Sequence, residues 1–210
     1  MPAEESTPQR TRNPWGQGER LRTEILEAAA RLLSELDSAE GITIRGVARA
    51  VGIAPASIYQ HFSDKAALVQ GIVGYDFELL MAAMHKAEER LAAEDVVGRV
   101  RAQMHAYCRF AMEHPGHYRL MLSLRDAAHQ QRGNSLPEGP LLKLVELLTE
   151  SFVRCEQAGH RLRVSAERAA IIVFVGAHGL VALWHASPED DDSEIRSLVD
   201  EQISMVFADC

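Results

Sequence analysis

Residues 41–68, GITIRGVARAVGIAPASIYQHFSDKAAL, contain the pattern that decides the fold of this chain. Thr43 is a good helix-capping residue, and apolar residues recur after it at helical spacing up to Val51. Gly52 can adopt the left-handed conformation that ends a helix, and Pro55 suits the first position of a new helix. The stretch therefore predicts two short helices joined by a tight turn, the geometry that places one helix in a DNA groove.

The side chains of the second helix of this pair divide into an inward and an outward set. Ile58 and Phe62 are four residues apart, so we expect them to face inward together with Val47 and Val51. The residues left on the other faces are Ala56, Ser57, Tyr59, Gln60 and His61. These outward residues are the ones available to contact nucleic acid.

The segment resembles the DNA-binding signature of the TetR (tetracycline-repressor-like) family of bacterial transcription regulators. The residues that carry the resemblance are Thr43-Ile44-Arg45, Val47-Ala48, Gly52-Ile53-Ala54, Ile58-Tyr59-Gln60-His61-Phe62 and Lys65 to Leu68. It implies an all-α fold, in which an N-terminal three-helix helix-turn-helix head is joined to a larger helical ligand-binding and dimerisation domain. Ala54 departs from the pattern, because the family more often has Ser or another polar cap there.

The resemblance and the outward positions together suggest separate roles for the residues of the head. Arg45, Ala56, Ser57 and Gln60 are expected near base edges, where Arg can pair with guanine and Gln with adenine. Thr43, Tyr59, His61 and Lys65 are expected to hold phosphates, which orients the head without reading sequence.

Net charge argues against DNA binding unless positive groups are segregated, because the chain carries −8. Residues 1–70 contain 8 Lys and Arg against 9 Asp and Glu, a net of −1, so the remaining −7 belongs to residues 71–210. The acidity therefore lies mainly outside the proposed head, and we expect DNA binding that depends steeply on salt.

The whole chain is predicted to be helical, since apolar residues recur at three and four and no run alternates with period two. We expect a mobile N-terminal arm at 1–17, the helix-turn-helix domain at 18–65 and the ligand-binding and dimerisation domain at 66–210. The first helix should bury Leu21, Ile25, Ala28, Ala29 and Leu32, and Ser63 should cap a long fourth helix that reaches about residue 90. Further helices are predicted at 94–113, 116–123, 140–156, 165–186 and 193–207, with loops at 127–140 and 158–164.

Methionine and aromatic side chains suit an adaptable apolar pocket with one or two polar anchors. The same residue types at helical spacing also form ordinary cores, and the sequence leaves both interpretations open. His178 is the best single candidate for a polar contact to a ligand. The candidate pocket residues are Phe77, Met81, Met84, Met104, Tyr107, Cys108, Phe110, Ala111, Met121, Leu148, Phe152, Phe174, His178 and Trp184.

The C-terminal half carries a weaker likeness and an apolar run. The segments 114–121 and 177–184 resemble the paired motifs of a Trp-His-Gly-like subclass of TetR C-terminal domains, with Ala177 in place of the tryptophan. Residues 169–186 carry no formal charge, which is near the lower limit for a membrane span. Gly176 and Gly179 instead favour close helix packing, and the resemblance implies that the last two helices form the dimer interface.

Other chemistries have little support in the sequence. Three cysteines without close spacing suggest neither a disulfide framework nor a zinc site, and they fit a reducing cytoplasm. His114 and His117 lack a further ligand nearby, and no catalytic or phosphate-binding motif is present, so we predict no metal, no cofactor and no enzyme activity. The sequence thus indicates a cytoplasmic homodimeric repressor that binds a palindromic operator and is released by a small-molecule effector. The alternative is a sensing dimer whose head contacts protein rather than DNA.

Overall fold

The computed structural model of the chain describes residues 18–36, 38–121, 140–186 and 191–208. The expected N-terminal arm and nearly all of the loop predicted at 127–140 lie outside these residues. The chain divides into two compact units between Ile72 and Val73. The helices are α1 (Gly18–Leu36), α2 (Ile44–Val51), α3 (Pro55–Ile58), α4 (Lys65–Glu88), α5 (Val96–Glu113), α6 (115–121), α7 (Pro140–Gln157), α8 (Ala166–Ala186) and α9 (Ser193–Met205). Within the described ranges, the all-α prediction is confirmed.

Helix α1 forms one wall of the first unit and differs slightly from its prediction. Ile25, Ala28 and Ala29 are buried as expected, but Leu26 and Leu33 take the interior positions that we assigned to Leu21 and Leu32. Leu32 and Leu33 differ by one residue, about 100° around a helix, and periodicity alone does not choose between adjacent leucines. Leu21, in the first turns of the helix, is only half-buried.

Helices α2 and α3 follow the sequence prediction closely. Thr43 caps α2, and its hydroxyl oxygen accepts a hydrogen bond from the backbone N–H of Gly46 at 3.0 Å. Gly52 ends the helix with φ of 75° in the left-handed region, and Pro55 opens α3. Val47 and Ile58 are fully buried and Phe62 is nearly so, which fixes the two helices to a common core.

The cap of α4 differs from the prediction, because Asp64 provides it and Ser63 does not. The Asp64 Oδ1 atom accepts from the N–H of Ala67 at 2.8 Å, while the Ser63 hydroxyl donates to Asp64 Oδ2 at 3.2 Å. The backbone hydrogen bond from Ala67 lowers the pKa of the Asp64 carboxyl, so the cap is negatively charged. A carboxylate at a helix N-terminus interacts with both the free N–H groups and the helix dipole, which a hydroxyl does less well.

The second unit is a helical assembly with a large apolar core from α4 to α9. Buried Glu88 joins three of these helices, since Arg154 Nη2 donates to its Oε2 at 2.8 Å and Arg99 Nε lies 3.5 Å from the same oxygen. After α7 the chain turns at Gly159, where φ is 93°, and Leu162 then forms an isolated bridge with Phe207. The core residues include Leu80, Met84, Val100, Met104, Leu144, Leu148, Phe152, Val173, Phe174, Val181, Val199 and Ile203.

Two helices in the described part of the chain, α4 and α8, are long and apolar enough to cross a membrane by length and composition. This is weak evidence, because core helices of soluble proteins meet the same criterion. Helix α4 also carries two buried carboxylates, Asp76 and Glu88, and α8 carries two hydrogen-bonded histidines, His178 and His185. These polar contacts are what helices inside a protein core require.

Candidate nucleic-acid interface and effector site

The outward residues of the α2–α3 pair are available to solvent, as the pattern indicated. Arg45, Ala56, Tyr59 and Gln60 are exposed, with Tyr59 at 56%. These side chains, including the Tyr59 ring, are therefore accessible to a contact with another molecule.

Helix α3 is shorter than the prediction and tightens after its first turn. It ends at Ile58, and His61 then donates its backbone N–H to Ile58 O at 2.9 Å, the i→i+3 pattern of a 3₁₀ turn. Ala54 makes no side-chain cap, consistent with its departure from the family pattern. Ser57 and His61 are consequently only partly exposed at this turn.

Two of the residues assigned to phosphates also make contacts inside the first unit. Thr43 uses its oxygen as the α2 cap, which leaves its O–H as a donor. Lys65 Nζ donates to the backbone oxygen of Glu40 at 3.1 Å, which ties the start of α4 to the turn before α2. An ammonium group has three N–H donors, so the side chain can hold this carbonyl and a phosphate together.

One contact that stabilises the head was not predicted from the sequence. The guanidinium of Arg22 on α1 lies 5.3 Å from the centre of the Phe62 ring, a cation–π geometry. Several arginines lie along α1, and their spacing in the sequence does not show which of them reaches this ring. The contact fixes α1 against the end of the α3 turn.

In the second unit, some of the predicted pocket residues form a connected polar and aromatic group. Tyr107 and His178 share a hydrogen bond of 2.8 Å between the phenol oxygen and Nδ1. The Phe174 ring contacts both side chains, with centroid distances of 5.5 Å to Tyr107 and 5.7 Å to His178. Burial raises the pKa of Tyr107 well above its ordinary value, so it stays a neutral phenol. His178 is thus hydrogen-bonded within the core, and its contact with a ligand stays a prediction.

The remaining predicted pocket residues are distributed through the core. Phe152 contacts Phe207 at a centroid distance of 6.1 Å, and Trp184 contacts His185 at 5.1 Å. Met104, Cys108 and Met121 are buried, whereas Met81 is partly buried.

Tyr118 on α6 belongs to the same group and was not among the predicted site residues. Its hydroxyl lies 3.4 Å from His178 Nδ1 and donates to the His178 backbone oxygen at 3.3 Å, and burial raises its pKa to about 12. The motif at 114–121 pointed to this segment, but spacing alone does not show which of its residues turns toward α8.

A second polar pair, Asp76 and His117, lies in the second unit and was also missed. His117 Nδ1 lies 2.8 Å from Asp76 Oδ1, and the carboxylate is completely buried. Burial raises the pKa of Asp76, and the contact with His117 opposes that rise. The ring of neighbouring His114 lies 5.5 Å from that of His117, and burial lowers the pKa of His114. The signal available in the sequence was the position of Asp76 between apolar residues of α4.

Metal binding and thiol chemistry find no supporting geometry in the described residues. There, no group of three or more His, Cys, Asp or Glu side chains is placed to hold a metal ion. Cys108 and Cys155 are buried, and burial raises their pKa values to about 12 and about 11. Thiols with such pKa values carry little of the reactive thiolate form near neutral pH.

Comparison with known proteins assigns both halves of the chain. Residues 25–72 match the model of bacterial regulatory proteins of the tetR family, and residues 100–206 match the tetracyclin repressor-like C-terminal domain. The nucleoid occlusion factor SlmA of Vibrio campbellii (strain ATCC BAA-1116) is 30% identical over 137 residues, which cover 63% of this chain and 69% of that protein. The Trp-His-Gly-like subclass is not confirmed by these matches and stays a prediction.

Solved structures show the same fold at lower identity. A Rhodococcus sp. protein described as a TetR-family transcriptional regulator aligns with a TM-score of 0.71 and 18% identity, covering 90% of this chain and 100% of that chain. A TetR family transcription regulator from Marinobacter aquaeolei VT8 aligns with a TM-score of 0.65 and 19% identity, covering 91% of this chain and 97% of that chain. Since the C-terminal match alone spans half of the sequence and follows the helix-turn-helix match in order, this chain belongs to the TetR family of DNA-binding bacterial regulators, which are not enzymes.

Proposed function

We propose that this protein is a cytoplasmic, ligand-responsive transcription repressor that binds a palindromic operator as a homodimer and is released by a small-molecule effector. The observation that carries the proposal is the exposed outer face of α2 and α3, which presents Arg45, Ala56, Tyr59 and Gln60 from a rigid helix pair. Membership of a family of DNA-binding regulators favours DNA over protein as the partner of this face.

Each outward residue has a role that its chemistry supports. Arg45 and Gln60 carry the donors that suit guanine and adenine edges, and the Ala56 methyl suits the thymine methyl. Ser57 is also proposed to contact base edges. Tyr59 and His61 at the turn after α3, and Thr43 and Lys65 at the starts of α2 and α4, are assigned to phosphates, where they set the register of the head.

The proposed dimer interface is the exposed apolar face of α8 and α9. Val175 and Leu183 on α8 are 59% and 71% exposed, and Met205 at the end of α9 is 69% exposed. Gly179 has nothing within 4 Å of an added Cβ, so a partner helix can approach there. At Gly176 the space for a Cβ is occupied by the Gln202 side chain of the same protomer, so a helix of the partner cannot approach closely there as the sequence suggested.

The effector site is proposed in the second unit, around the Tyr107, Phe174 and His178 group. A hydrogen-bonded phenol and imidazole in an apolar core are the kind of polar anchor that fixes the orientation of a small molecule. Met81, Met104, Cys108, Met121, Phe152 and Trp184 remain proposed as apolar contacts. The effector would favour a conformation in which the two heads no longer match half-sites about 34 to 36 Å apart.

Gel-shift titration of genomic fragments at several salt concentrations tests the DNA-binding part. We expect a small set of fragments to be retained and then lost steeply as salt rises, because phosphate contacts release counterions. Equal retention of all fragments, or no retention at low salt, would contradict a sequence-specific regulator.

The similarity to a nucleoid occlusion factor supports nucleoid occlusion as a second candidate function. Chromatin immunoprecipitation separates the two functions. A repressor should occupy a few promoters, whereas a nucleoid occlusion factor should occupy sites spread over the chromosome.

A further inference from the structure

The Asp76 carboxylate is the least satisfied charged group in the described core of the second unit. It is 0% exposed, and one of its oxygens lies 2.8 Å from His117 Nδ1. The other oxygen, Oδ2, has no hydrogen-bond partner among the described residues. Buried carboxylate oxygens are normally hydrogen-bonded, so an open acceptor of this kind indicates a donor that the described residues do not supply.

The charges around Asp76 leave its negative charge weakly compensated. The neighbouring groups that act on it are His117 and His114, and no lysine or arginine pairs with it among the described residues. Burial lowers the pKa of His114, which favours its neutral form. The missing partner is therefore a hydrogen-bond donor, and a positively charged donor would be held most strongly.

The surroundings of Asp76 restrict the rest of such a partner. Phe77 and Met81 follow Asp76 on α4 and are packed against the apolar core, as is Phe110 of α5. The Phe110 ring contacts that of His114 at a centroid distance of 4.9 Å. On the face of α4 that carries Asp76, the side chains one turn away are Ile72, Val73 and Leu80, which are buried and apolar. The part of a molecule that lies beside them when its donor reaches Oδ2 is therefore apolar or aromatic.

We infer that the effector of this regulator is a mainly apolar organic amine whose ammonium nitrogen donates a hydrogen bond to Asp76 Oδ2. The inference rests on the proposed function, since it names the class of effector for the second unit. It extends the proposed site from the Tyr107 group to the Asp76 and His117 pair, which joins α4 to α6. An amine at Oδ2 would also compete with His117 for the carboxylate and so alter the contact between these helices.

Isothermal titration of the purified full-length protein, without DNA, tests the inference. The probes are 4-phenylbutylammonium and n-octylammonium, each compared with the alcohol of the same chain, 4-phenylbutanol and n-octanol. We expect each amine to bind about tenfold or more tightly than its alcohol, because a buried charge-assisted hydrogen bond distinguishes them. In Asp76→Asn this preference should disappear while the weak binding of the alcohol remains.

The control is Glu78→Gln, which removes a charge from an exposed side chain on the same helix and should leave the preference intact. Equal binding of amine and alcohol by the wild type, an unchanged preference in Asp76→Asn, or no binding of either amine at millimolar concentration would overturn the inference. Equal binding of amine and alcohol by the wild type overturns the inference even where Asp76→Asn folds poorly, whereas a wild-type preference supports it only together with its loss in Asp76→Asn. Gel shifts with operator fragments test the DNA-binding function separately. If the protein retains operator fragments but does not prefer the amines, the amine effector is rejected and the DNA-binding function stands.

Discussion

Arg45 is the residue whose role in the proposed interface is most sharply testable. Its side chain is exposed on α2. If it reads a base, Arg45→Ala should weaken operator binding by about 1 to 3 kcal/mol and relax the preference at one operator position. Binding-site selection with the variant measures both effects. Arg31→Ala, an exposed arginine on α1 outside the helix pair, is the control, and an unchanged selection profile in Arg45→Ala would remove the assignment.

Lys65 should behave differently, because it is assigned to phosphate and is anchored on Glu40 O. Lys65→Ala is expected to weaken binding to all sequences alike and to reduce the slope of log affinity against log salt by about one unit. Fluorescence anisotropy over a salt series gives this slope. Lys86→Ala near the far end of α4 should leave it unchanged, and a loss confined to some operators would contradict the phosphate role.

Asp76 makes stability depend on pH in a direction opposite to that of most carboxylates. Burial raises the pKa of Asp76 in the folded protein above 3.8. The folded state therefore favours the protonated carboxyl, and this contribution to stability is lost as pH rises through the folded-state pKa. The stability of Asp76→Asn relative to wild type should therefore increase from about pH 4 to pH 8. Urea unfolding across this range measures the difference, and a pH-independent difference would show that burial does not perturb this carboxyl.

Helix α4 contains two glycines with opposite surroundings. An added Cβ at Gly71 would lie 2.7 Å from Phe62 Cε1 and 3.1 Å from Leu26 Cδ2, whereas at Gly74 nothing lies within 4 Å. Gly71→Ala should destabilise the protein by about 1 to 3 kcal/mol through overpacking. Gly74→Ala should be neutral or stabilise by up to about 1 kcal/mol through helix propensity. Urea midpoints compare the two, and equal shifts would mean that packing at Gly71 relaxes freely.

The turn between α2 and α3 shows how local chemistry alone specifies an element. Thr43, Gly52 and Pro55 each satisfy a requirement of the backbone, namely a cap, a left-handed residue and a fixed φ. The sequence also predicts the long α4, but it does not identify the cap as Asp64, because Ser63 and Asp64 are adjacent and both are good capping residues.

The assembly of the whole molecule depends on the apolar face of α8 and α9. Leu183→Glu places a charge at a side chain that is 71% exposed in the protomer, so it should dissociate the dimer without unfolding the subunit. Analytical ultracentrifugation measures the dissociation, and operator affinity should fall with it. Leu79→Glu alters a leucine that is 41% exposed on α4 and should leave the dimer intact, whereas a dimeric Leu183→Glu variant would place the interface elsewhere.

The sequence by itself determined the helical class, the helix pair from Thr43 to Phe62 and its outward residues, because caps, turns and periodicity depend on neighbours within a few positions. Only the tertiary structure decided that Tyr118 joins Tyr107 at His178, and that Asp76 meets His117 across α4 and α6. Their separations along the chain range from 41 to 71 residues. Such contacts depend on how helices pack against one another, and no pattern within a single helix contains that information.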